Sequence, residues 1–197
     1  MERHISRMSL ILVDWMEKGV SIGSPRFGLE AIKDSERRRL LKELLTILEG
    51  FFGEDLVSVV VFGSVARGDA KPSSDTDVLV VARNMPRSMS DRMGIMVKVL
   101  MNLEKTETCR ELREKGVCTW IQFHPLSIEE AGLNRPIYLD MVEDAVILLD
   151  KNGFMKNVFD KLRKRLEELK ARRVYLEDGS WFWDLKPDIK RGEVVEI

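Results

Sequence analysis

The stretch Leu56 to Ala82, LVSVVVFGSVARGDAKPSSDTDVLVVA, constrains this chain more than any other. A β-branched run ends at Phe62, Gly63-Ser64 breaks it, ten residues follow, and Asp75-Thr76-Asp77 opens a second apolar run, Val78 to Val81. That pattern predicts strand, tight turn, excursion, strand. Alternate residues of an extended chain share a face, so Asp75 and Asp77 are expected to project together. Two carboxylates held close repel each other unless a proton or cation joins them, and paired hard oxygens suit Mg²⁺, which is commonly bound by one or two carboxylates plus substrate phosphates. Gly63 lets backbone approach a ligand, and a short helix opening at Ser64 would turn unpaired N–H groups toward a phosphate chain.

Gly63-Ser64, the ten-residue gap and Asp75-Thr76-Asp77 between two apolar strands resemble the DNA polymerase β-like nucleotidyltransferase superfamily. The run Phe62-Gly63-Ser64-Val65-Ala66-Arg67-Gly68-Asp69 is similar to its small prokaryotic branch, the minimal nucleotidyltransferases. The resemblance implies an α/β (α+β) fold, a small mixed sheet flanked by helices. It also implies transfer of a nucleoside monophosphate from a nucleoside triphosphate to an acceptor, with release of pyrophosphate. Mg²⁺ or Mn²⁺ would be held by Asp75 and Asp77, and the phosphates by Gly63, Ser64 and Arg67, with Lys71 a weaker contact. Members usually carry a third carboxylate on the following strand. Here that strand offers Gln122 and His124 instead, and the next acids, Asp140, Glu143 and Asp144, fall in a helical pattern. Three outcomes stay open: catalysis by two carboxylates plus His124 or a remote acid, a nucleotide binder with little turnover, or a site completed by a partner. A protein, an RNA or a small molecule would be the acceptor. The second class of reading is a regulatory, antitoxin-like module with a helical toxin-like partner, and a homodimer is also allowed.

Elsewhere the pattern predicts helices over 3–18, 34–52 and to about 106, the last with a stripe of Met93, Met96, Val97, Leu100, Met101 and Leu103 expected to be core. Gly19 to Gly28 reads as a loop, and the Arg37-Arg38-Arg39 run as a solvated face. Val117 to Phe123 reads as a strand ended by Pro125, with Gln122 and His124 on the face opposite Ile121 and Phe123. Ser127 with Glu130 forms a capping box, a helix follows at about 137–144, and Ala145 to Leu149 is a last strand. A long helix after Gly153 is basic, with nine Lys/Arg against three acids from Lys151 to Arg173, a stripe suited to nucleic acid or an acidic partner. The acidic tail holds Tyr175, Trp181, Phe182 and Trp183, expected to pack rather than stand in water. The expected division is 1–29, a nucleotidyltransferase domain over 30–150, and a C-terminal helix and tail over 151–197.

Net charge is −1, so any attraction to nucleic acid or membrane has to come from a local patch. No apolar run approaches the ~20 residues of a membrane span. Two cysteines and no leader-like segment lead to a reducing, cytoplasmic expectation.

Overall fold

The computed structural model describes residues 22–176 and 180–197, so the helix expected over 3–18 lies outside the described residues. They divide into two compact units, Gly23–Arg163 and Lys164–Ile197 together with Ile22. The larger unit is built on a five-stranded mixed sheet in the order β1-β5-β2-β3-β4. Its strands are β1 (Arg26–Phe27), β2 (Leu56–Phe62), β3 (Thr76–Ala82), β4 (Ile121–Ser127) and β5 (Val146–Asp150). β2 runs antiparallel to both β3 and β5, while β4 is parallel to β3 and β1 to β5.

Helices α1 (Ser35–Phe52), α2 (Gly63–Arg67), α3 (Met89–Leu103), α4 (Glu107–Glu114), α5 (Ile128–Ala131), α6 (Tyr138–Asp144) and α7 (Phe154–Glu168) fill the connections. Asp34 caps α1 by accepting from the N–H groups of Glu36 (2.9 Å) and Arg37 (3.2 Å). The helix then lays Leu40, Leu41, Leu44 and Leu48 on one sheet face. There they meet Val59 and Val61 of β2, Val78 and Val80 of β3, Ile121 of β4, and Met96, Val99 and Leu103 of α3. Complete burial of such aliphatic side chains is the main stabilising contribution, roughly 1.5–3 kcal/mol each. Over α6 and α7, Tyr138 and Phe159 meet edge to face at 5.7 Å. The capping box forms as expected, Ser127 N–H donating to Glu130 (2.9 Å) and Glu130 N–H to Ser127 Oγ (3.3 Å).

Several expectations are corrected. The third strand begins at Ile121, because Val117 and Cys118 give their N–H groups to Leu112 and Pro72 outside the sheet. It also runs through Pro125. β4 is an edge strand, where one side has no ladder and a residue lacking N–H is tolerated. Arg26-Phe27, expected in a loop, adds β1 to the opposite edge. The methionine stripe divides: Met96 is core, whereas Met93, Val97 and Met101 are exposed, because these six positions span more than one helix face.

Arg37 is the clearest reversal. Its side chain is 1% exposed, and it donates to the carbonyls of Lys71 (2.8 Å) and Ser74 (2.7 Å) and to Thr76 Oγ1 (3.1 Å). A guanidinium read as solvated instead ties α1 to the loop that precedes Asp75.

The smaller unit holds a two-stranded antiparallel ribbon, β6 (Arg172–Tyr175) and β7 (Trp181–Asp184), which the polar sequence around it did not announce. Arg173 lies over the rings of Trp181 (4.3 Å) and Trp183 (5.5 Å), while Phe182 stays exposed. No described helix is long and apolar enough to cross a membrane.

Candidate active site

Strand β2 ends at Phe62 and the chain turns at Gly63 straight into α2, which Gly68 closes in the left-handed region with its N–H on Ser64 O. Gly63 itself has φ +70, and a Cβ built on it would collide with Asp77 Oδ2. Glycine is therefore required here twice, for its backbone angle and for the carboxylate seated against it.

The β3 register explains how that carboxylate arrives. Asp77 lies opposite Phe62 on β2 and opposite Gln122 on β4, and paired residues share a sheet face. His124, two residues on, pairs with Leu79 on that same face. Ile121 instead enters the core on the other face and Phe123 packs against it. The alternation read from sequence thus holds, although the strand's limits do not: Gln122 and His124 face the Asp77 side. Gln122 occupies the position on the neighbouring strand directly beside Asp77, with its side chain exposed.

Asp75 precedes β3 by one residue, close enough for its charge to act on Asp77. Burial pushes the Asp77 carboxyl above its ordinary value and Asp75 adds to that rise, while His124 and Arg67 oppose it. Burial also holds the His124 imidazole below its ordinary value, against the pull of Asp77. The His124 ring packs on Phe62 at 5.1 Å, and its Nε2 is buried with no hydrogen-bond partner. Arg67 reaches from α2, its Nε donating to Asp69 at 3.1 Å. Lys71 contributes its carbonyl to Arg37.

Asp75, Asp77, Arg67, His124 and the Gly63-Ser64 turn are therefore brought together. The acids Asp140 and Asp144 lie on α6, which packs against α2, yet the groups that shift Asp77 are Asp75, His124 and Arg67. Among the described residues no cluster of three or more His, Cys, Asp or Glu converges as a metal-holding set. Sequence reading places Ser24-Pro25-Arg26 in a connector with a ligand contact as the lesser alternative, whereas the Arg26 guanidinium donates to the carbonyls of Ala66 in α2 and of Asp144 (2.9 Å) at the end of α6. A lone arginine in a glycine-rich segment carries no periodic signal that would have revealed this.

The family model described as a nucleotidyltransferase domain matches residues 41–138, a span that runs from α1 into α6 and contains Gly63, Ser64, Arg67, Asp75, Asp77, Gln122 and His124. A protein of Methanocaldococcus jannaschii named "Putative protein adenylyltransferase MJ1305" is 27% identical over 147 residues, 72% of this chain and 90% of that protein. A bifunctional uridylyltransferase/uridylyl-removing enzyme of Vibrio parahaemolyticus is 27% identical over 161 residues, 78% of this chain but only 18% of that much longer enzyme. Among solved structures, a toxin-antitoxin complex with AMP-PNP aligns over 64% of this chain and 90% of that chain, at 14% identity and a TM-score of 0.42. With its mixed sheet, its Gly-Ser turn and its family match in agreement, the chain carries a nucleotidyltransferase domain over residues 41–138, consistent with the polymerase β-like superfamily.

Proposed function

We propose that the chain transfers a nucleoside monophosphate from a nucleoside triphosphate to an acceptor hydroxyl and releases pyrophosphate. The observation that carries this reading is the seating of Asp77 against Gly63, a carboxylate beside the backbone turn to which we assign the phosphates. Adenylyl is the group, and a protein the acceptor, that the name of the Methanocaldococcus relative brings forward.

The donor set fits a divalent cation, because burial and the neighbouring Asp75 charge both raise the cost of ionising Asp77, and a cation relieves that cost. Asp75 and Asp77 would hold Mg²⁺ or Mn²⁺, which supplies charge neutralisation at the triphosphate. Gly63 and Ser64 bind the outer phosphates through backbone N–H groups and the Ser64 hydroxyl. Arg67 adds a charged donor from the same turn. His124 is kept neutral by burial, so it is free to take the proton of the acceptor hydroxyl. That oxygen bonds to the α-phosphorus, the bond from the α-phosphorus to the bridging oxygen breaks, and pyrophosphate leaves with the electron pair.

A second reading, a nucleotide-binding regulatory module with slow turnover, is favoured by Gln122 standing beside Asp77 where a third carboxylate would be expected. Calorimetric titration with a non-hydrolysable triphosphate and Mg²⁺ tests what both readings share. The Asp75→Asn, Asp77→Asn double variant should bind at least about tenfold more weakly than the parent chain, a difference of about 1.4 kcal/mol. Equal affinity would reject the site.

A further inference from the structure

Arg26 precedes the span matched by the nucleotidyltransferase family, which begins at residue 41, yet its side chain reaches the candidate site. It stands on β1, where its own N–H donates to Ala145 O (2.9 Å) and the N–H of Gly28 to Ile147 O (2.9 Å), so this two-residue strand is fixed on β5. From there the half-buried guanidinium turns toward the ends of two helices. Its Nη2 donates both to Ala66 O, in the last turn of α2, and to Asp144 O (2.9 Å), on the last residue of α6, while Nη1 reaches Ala31 O at 3.4 Å. The last carbonyls of a helix have no partner inside it, and one guanidinium here serves both ends. Val65 and Ala66 bury one side of α2 in the core. Apolar burial is non-directional, so it holds the helix down without fixing how the helix is turned; a hydrogen bond to a carbonyl is directional and does fix it.

We propose that Arg26 is a positioning residue for the triphosphate: by tying the C-terminal end of α2 to the end of α6, it sets the direction in which Gly63, Ser64 and Arg67 present their donors. This inference rests on the assignment of the phosphates to that turn. The carboxylates have separate support. Asp77 is placed by the ladders of β3 with β2 and β4, and the loop before Asp75 is held by Arg37 through the carbonyls of Lys71 and Ser74. Two arginines that both precede residue 41 thus brace the two halves of the site independently, Arg26 the phosphate turn and Arg37 the approach to the metal pair. Loss of Arg26 therefore weakens the hold on phosphates and spares the hold on a cation.

Two ligands separate these effects in the full chain. Arg26→Met should bind AMP-PNP with Mg²⁺ at least about tenfold more weakly in calorimetric titration, while Mn²⁺ alone, followed by its paramagnetic resonance signal, should bind within about threefold of the parent chain. Leu48→Ala, which opens a cavity in the core, controls for lost stability: it should lower the thermal melt and leave both affinities within about threefold. If Arg26→Met gives no cooperative melt, Arg26→Lys carries the test, because its shorter side chain cannot serve both carbonyls, and it should show the same split at about fivefold or more. AMP-PNP affinity equal to that of the parent chain, parallel loss of AMP-PNP and Mn²⁺, or an equal loss of AMP-PNP in Leu48→Ala would overturn the positioning role and leave the proposed function standing. Failure of the parent chain itself to bind Mn²⁺ or AMP-PNP would overturn both.

Discussion

Replacing Gly63 by alanine imposes two costs at one atom. At φ +70 an L-residue costs about 1–2 kcal/mol more than glycine. The new methyl group also occupies the space of Asp77 Oδ2, and turning that carboxylate away from its preferred rotamer costs about 0.5–1.5 kcal/mol. A total near 2 kcal/mol corresponds to a fall in Tm of about 4–8 °C for a chain of this length. The larger consequence is functional, since a carboxylate displaced by about 1 Å is enough to cost roughly 100-fold in rate. Gly68 supplies the control. It has φ +83, and its added Cβ would meet the Lys33 side chain, nearest at Cδ, 2.8 Å, which can move. Gly68→Ala should therefore lose comparable stability yet keep activity within about threefold, because Asp77 is undisturbed. Urea unfolding and Mg²⁺-dependent triphosphate turnover, measured on both variants, separate the two effects. If Gly63→Ala lost no more activity than Gly68→Ala, the seating of Asp77 against Gly63 would have no catalytic meaning.

Arg37→Met should destabilise by about 3 kcal/mol, because it strands the Lys71 and Ser74 carbonyls, and urea midpoints would show it. The Arg92 guanidinium holds the Glu130 carboxyl below its ordinary value, so its stabilising contribution is complete above about pH 4.5 and is lost as pH falls through the lower folded value. The gap in unfolding midpoint between the parent chain and Glu130→Gln should accordingly close as the pH is lowered from 6 to about 3. Gln122→Glu should raise transfer activity by placing a carboxylate beside Asp77, and His124→Ala should lower it at least about tenfold. A rate unchanged by both substitutions would remove this strand from the chemistry.

The site was legible because its residues lie within one local pattern: Gly63, Ser64, Asp75 and Asp77 are fixed by a turn and two strands that neighbour each other in sequence. Strand alternation also carried Gln122 and His124 to the correct face. What escaped was set by tertiary position. Pro125 reads as a strand end unless the strand is known to be an edge, and Arg37 reads as solvated until the carbonyls of a loop more than thirty residues away close around it. The α3 stripe looked like core because periodicity reports that a face is apolar, not which face meets the sheet. The ribbon of Arg172–Tyr175 and Trp181–Asp184 depends on pairing between two short segments, neither of which alternates strongly.

The central claim is that Asp75 and Asp77 support nucleotidyl transfer, and release of pyrophosphate from an α-labelled triphosphate with Mg²⁺ measures it most directly. The parent chain should release pyrophosphate and leave the label on an acceptor, either itself or an added protein, while Asp77→Asn should fall at least about 100-fold below it. Equal release by the parent chain and Asp77→Asn, or triphosphate binding with no release by the parent chain, would contradict the account.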